Sequence, residues 1–135
     1  MKTIKGYPPN YAQILEYLSP PKDAVFAYGE TIFNPSGENI PEDILFHEYV
    51  HSQQQLSFPS PDLWWNEYLI NVKFRYLQEL EAYANQLNFI KKHIPKAYKE
   101  ALFELASNLS GMYNIPISHL QASERIRLKA KEITI

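Results

Sequence analysis

No cysteine occurs among the 135 residues. A disulfide framework and a thiolate metal site are both excluded, so any bound metal must be held by His, Asp or Glu. Long hydrophobic runs are missing too. No apolar stretch approaches the roughly 20 residues of a membrane span, and Met1-Lys2-Thr3-Ile4-Lys5-Gly6 lacks the apolar core of a secretory signal. The expectation is a cytoplasmic protein with no membrane partner. Nor is there an excess of positive charge. With a formal net charge of −2 the chain offers no basic stripe for phosphates, which argues against nucleic acid as a partner. Arg125, Arg127, Lys129 and Lys131 form a local exception that reads as the solvated face of a terminal helix. Internal repeats are absent, and the only compositional run is the short polar Gln53-Gln54-Gln55.

Hydrophobic residues make up 45% and charged residues 21%, close to the average for globular chains, so a folded core is expected. The length suits one domain spanning 1–135. A periodic stretch, Tyr11, Ile14, Leu15 and Leu18, predicts a first helix ending before Pro20-Pro21. Ala24 to Phe33 is aromatic and β-branched and predicts one or two short strands, with a hairpin turn near Gly29-Glu30. Pro41-Glu42-Asp43 opens a helix carrying Ile44 to about Leu56, with Ile44, Leu45 and Val50 available to hold it against a core. Ser60-Pro61-Asp62 repeats the start signal, with Ser60 as N-cap. Neither Gly nor Pro follows until Pro95, which allows one helix of about 30 residues. A further helix fits Lys96 to Asn108 with Gly111 as terminator, and a last one starts at Ser118. The fold class is α+β, mostly helical, with a small sheet or hairpin ahead of the second helix and a long helix after it.

His47-Glu48-Tyr49-Val50-His51 satisfies the pattern H-E-x-x-H. Residues four apart lie one turn above each other on a helix, so two imidazoles can grip one ion, and zinc is the metal this motif implies. Glu48 stands beside them, placed to take a proton from a water that the metal has acidified. Catalytic zinc sites have three protein ligands, so a third must be found. The stretch Glu79-Leu80-Glu81-Ala82-Tyr83 on the long helix offers two carboxylates. At about 100° per residue, Glu79 falls roughly 60° from the centre of the apolar face and Glu81 roughly 140° away. Glu79 is therefore the better ligand, and Glu81 points towards water.

The pairing of this motif with Glu79-Leu80-Glu81-Ala82 resembles the gluzincin metallopeptidases, in which H-E-x-x-H is followed by E-x-x-A on a second helix. The likeness spans roughly residues 24 to 92 and is greatest to the minimal, single-domain members. It implies a zincin-like domain with one zinc ion held by His47, His51 and Glu79, Glu48 as general base, and Ala82 as the small residue between two helices. It also implies hydrolysis of a peptide or protein substrate by a metal-activated water. The edge strand just before the metal-binding helix, here within Ala24 to Phe33, would pair with the extended substrate. Tyr83 stands where many gluzincins have Asp. The carboxylate partner expected for a ligand histidine must then come from elsewhere, with Glu42, Asp43 or a backbone carbonyl as candidates. Tyr83 is also the first candidate for stabilising the oxyanion, ahead of Tyr28 and Arg75.

Other conspicuous residues have plainer readings. Trp64 and Trp65 read as core, and His93, after Lys91-Lys92, suits a helix end. Two alternatives to a peptidase stay open. One is an inactive zincin-like module that docks peptides without cleaving them. The other is a structural zinc closed by a fourth protein ligand such as His119 or Glu30.

Overall fold

A computed structural model describes residues 1–134. The chain divides into two compact units, Met1–Asn71 and Val72–Ile135. The class is α+β and mostly helical, as the periodicity predicts. No helix among the described residues is long and apolar enough to cross a membrane.

The first unit contains β1 (Lys2–Ile4), α1 (Tyr11–Tyr17), β2 (Phe26–Tyr28), β3 (Thr31–Phe33), α2 (Glu42–Gln55) and α3 (Pro61–Ile70). The expected hairpin is β2 and β3, antiparallel and registered Ala27 to Ile32. Its turn uses Gly29 at φ +61, a left-handed conformation that glycine adopts without a Cβ penalty. A Cβ at Gly29 would also meet Pro61 Cγ at 3.3 Å, so space and conformation both favour glycine there. No local pattern predicts β1, which pairs in parallel with β3 and makes it the central strand, in the order β1-β3-β2.

α2 begins at Glu42, with Glu42 and Asp43 in its first turn, where carboxylates meet the positive end of the helix dipole. Of the three apolar residues expected to anchor it, only Val50 is buried; Ile44 and Leu45 are half-buried. Polar residues form most of its buried face: His47, Glu48, His51, Ser52 and Gln55 beside Val50. α3 starts as expected, with Ser60 as N-cap accepting from Leu63 N–H and Pro61 as the first helical residue.

The expected 30-residue helix is interrupted. α3 ends at Ile70, Asn71 is extended at φ −114 and ψ 101, and α4 runs from Val72 to His93. The Asn71 amide donates to Glu67 Oε2 at 3.0 Å and its backbone N–H to Glu67 O at 2.9 Å. Asparagine supports such local bonds at the expense of helix continuation, a break that apolar spacing alone does not register.

The second unit packs α4, α5 (Tyr98–Gly111) and α6 (His119–Thr134). Its core joins Leu80, Tyr83, Ala84 and Leu87 of α4 to Leu105, Ala106 and Leu109 of α5 and to Ala122, Ile126 and Ala130 of α6. A 3₁₀ turn, Pro95–Ala97, precedes α5. Gly111 is the last residue of α5 rather than its terminator; the left-handed residue that follows is Asn114, at φ 54. Ser118 caps α6 reciprocally: its Oγ accepts from Gln121 N–H at 3.1 Å, and Gln121 Oε1 accepts from Ser118 N–H at 3.0 Å, the arrangement of a capping box.

Candidate metal centre

α2 carries His47 and His51 one turn apart, and burial brings their rings together. The centroids are 4.8 Å apart with an interplanar angle of 80°, and both residues are 5% exposed. Glu48, 8% exposed, places its Oε2 3.9 Å from His47 Nε2. One ligand-capable atom from each of His47, Glu48 and His51 lies within 4.8 Å of the other two. Two nitrogens each bound to one zinc at about 2.0–2.1 Å are separated by no more than about 4.2 Å. The 4.8 Å that bounds this group is wider than that, so the side chains would draw together to share an ion. Two imidazoles and a carboxylate, with no cysteine, are donors that suit a borderline divalent cation.

α3 supplies an aromatic wall. Trp64, 1% exposed, lies with its ring centroid 5.4 Å from that of His51, and the Tyr68 ring lies T-shaped to His51 at 6.3 Å. Trp64 and Tyr68 stack at 4.9 Å. Trp65 turns the other way, its indole N–H donating to Ala27 O at 3.0 Å. Both tryptophans are buried, as expected, and Trp64 also confines a site residue.

Two residues of α2 that carried no expectation tie the helix to the hairpin. Ser52 Oγ donates to Gly29 O at 2.6 Å. Gln55, 2% exposed, accepts from Gly29 N–H at 2.7 Å and donates to Ala27 O at 2.9 Å. The carbonyl of Ala27, on the edge of β2 turned away from β3, is thus occupied by Gln55 and Trp65. The sequence predicts substrate pairing at an edge strand within Ala24 to Phe33, and on the β2 edge the central acceptor is already used. A third residue, Gln54, puts Oε1 2.8 Å from His51 Nδ1. The sequence did hold a signal for all three. They lie in helical phase with His47, Glu48 and His51, and i+3 and i+4 positions share a face.

Glu79 lies on α4 in the second unit and is 3% exposed, whereas Glu81 is half-buried, the order that helical phase anticipates. Ala82 is 0% exposed. Tyr83 is 4% exposed within the core of its unit, its hydroxyl 2.5 Å from that of Tyr113. Arg75 donates from Nε to Tyr113 O at 2.8 Å. Tyr28 donates to Asp62 Oδ1 at 2.8 Å; burial, then the bond to Asp62 and its charge, push the phenol above its ordinary pKa. His119 packs on Phe103 and approaches its carbonyl oxygen at 3.0 Å through Nε2. Glu30 is exposed at the hairpin turn, and neither it nor His119 is part of the metal-capable group. His93 is exposed against Phe89. A groove of about 730 Å³ in the second unit, lined by Tyr76, Leu80, Ile115 and Ile117 among others, contains none of the expected site residues.

Compared with protein-family models, with curated proteins and with solved structures, the chain matches none.

Proposed function

We propose that this chain is a zinc-dependent peptidase in which His47, His51 and Glu79 hold the ion and Glu48 is the general base. The observation that carries the reading is the buried face of α2. Two histidines and a glutamate are 5 to 8% exposed and converge within 4.8 Å. Burying three such groups is unfavourable unless they are paired or bind a metal. Glu79 is the carboxylate of choice because it is buried at 3% and opens the E-x-x-A spacing.

A zinc ion bound there would acidify a water and polarise the substrate carbonyl. Glu48 takes the proton as the water oxygen bonds to the carbonyl carbon. It then delivers that proton to the departing amine as the C–N bond breaks, leaving a carboxylic acid and an amine. Trp64 and Tyr68, buried against His51, limit water around it.

The test is metal analysis of the purified protein together with cleavage of an unfolded protein substrate. The wild type should contain one zinc per chain, and His47→Ala should lose it. Glu48→Gln should keep the metal and lose turnover. Zinc content unchanged in His47→Ala, or hydrolysis unchanged in Glu48→Gln, overturns the proposal.

A further inference from the structure

The three glutamines at the end of α2 have different surroundings. Gln53 faces solvent, and Gln55 holds the hairpin. Gln54, half-buried, places its carbonyl oxygen 2.8 Å from Nδ1 of His51. A carbonyl oxygen can only accept, so the hydrogen bond requires the proton on Nδ1. In a neutral imidazole the other nitrogen, Nε2, is then the unprotonated one.

We propose that Gln54 is a positioning residue that holds His51 in the Nδ1–H tautomer and leaves Nε2 as the metal-binding atom. The partner of the second ring nitrogen fixes tautomer and ring orientation in metal-ligating histidines. Glu42 and Asp43, the sequence candidates for such a partner, lie two turns or more before His51 on α2, whereas Gln54 lies three residues after it and on the same face. The backbone of Gln54 is itself anchored where the helix ends, its carbonyl accepting from Ser57 Oγ at 2.8 Å. The side chain therefore starts from a fixed point. A neutral amide suits the task because it accepts a hydrogen bond without adding a further negative charge beside Glu48.

The consequence for zinc rests on the metal-site reading; the tautomer does not, and it is measurable on metal-free protein. Long-range ¹H–¹⁵N correlation spectra of the neutral imidazoles should show His51 protonated at Nδ1. In Gln54→Leu the Nε2–H form should gain population, and Gln54→Glu, which restores an acceptor, should return the signal to Nδ1–H. Zinc affinity, measured by chelator competition, should fall by about 10- to 100-fold in Gln54→Leu and recover in Gln54→Glu. A purely structural role for Gln54 would not predict the tautomer change or its rescue by Glu.

A wild-type His51 protonated at Nε2 overturns the proposal, because the amide would then be donating to Nδ1 through Nε2 of Gln54. So does a Gln54→Leu protein with unchanged tautomer. If the wild type binds no zinc, the metal-site reading fails alone, and the spectra still decide what Gln54 does. If zinc binds and the tautomer is wrong, the positioning role fails alone. Should Gln54→Leu not fold, the wild-type spectrum and the Gln54→Glu variant remain decisive.

Discussion

Replacing Gln55 by Met keeps the length and much of the volume of the side chain and removes both of its polar contacts with the hairpin. The two losses are unequal. Ala27 O keeps the indole N–H of Trp65 at 3.0 Å, so that carbonyl remains paired. Gly29 N–H loses Gln55 Oε1, its partner at 2.7 Å. A partly buried donor left unpaired costs about 1–3 kcal/mol, and loss of a redundant bond to a carbonyl about 0.5–1.5 kcal/mol. Apolar packing by Met in a site 2% exposed offsets a small part of this. The expected destabilisation is about 2 kcal/mol, read as a lower urea midpoint at unchanged m-value. Trp65→Phe removes the complementary donor and leaves Gln55 in place. Because Trp65 and Gln55 share one acceptor, the double variant should be less stable than the sum of the single effects, since only then is Ala27 O left bare. A Gln55→Met protein within about 0.5 kcal/mol of wild type, the scatter expected of an inconsequential surface change, would refute this account of the hairpin.

Glu79→Ala and Glu81→Ala separate the two candidate carboxylates: the first should lose bound zinc and the second retain it, by metal analysis after dialysis. Ile126→Ala, at a residue 0% exposed in the core of the second unit, should lower unfolding free energy by about 2–5 kcal/mol in urea titrations. Tyr28 gives a pH signature. Its pKa in the folded chain is raised above 10.0 by burial, then by Asp62, so its contribution is complete below the unfolded value and is lost as pH rises through the folded one. Tyr28→Phe should therefore make the alkaline decline in stability above about pH 10 shallower, and an identical slope would count against the Tyr28–Asp62 bond.

What could be read from the sequence was short in range. His47 and His51 four apart, Ser60 before Pro61, and Gly29 in an aromatic, β-branched stretch each specify local geometry through neighbours within one turn, and the structure shows all three. The failures involve distance or competition. β1 is three residues, Lys-Thr-Ile, with little burial of its own; it exists by pairing with residues 31 to 33, a partner no local pattern names. Asn71 breaks an apolar rhythm that continues on both sides of it, because a side-chain amide bonding back to Glu67 is not part of that rhythm. Gln54 and Gln55 read in the sequence only as part of a short polar run. Their phase with His51 was available, yet the hairpin groups that make burial of Gln55 tolerable lie 26 and 28 residues away.

That last case bears on why α2 is built as it is. A helix stabilised only by burial would place Leu or Ile where His47, His51 and Ser52 stand, since apolar residues of similar volume match or exceed buried polar groups in stability. Instead Ser52 and Gln55 meet Gly29 and Ala27, and His51 meets Gln54. From His47 to Gln55 the helix rises about 12 Å, so metal-capable pair and hairpin anchor form one short rigid segment. The hairpin cannot shift by much without breaking bonds made by the residues directly after His51. Polar burial in α2 thus fixes the position of β2 and β3 relative to the histidines. The same bonds occupy Ala27 O on the outer edge of β2, an edge strand of the sheet. Under the proposed function, a substrate would be bound without strand addition through Ala27 O.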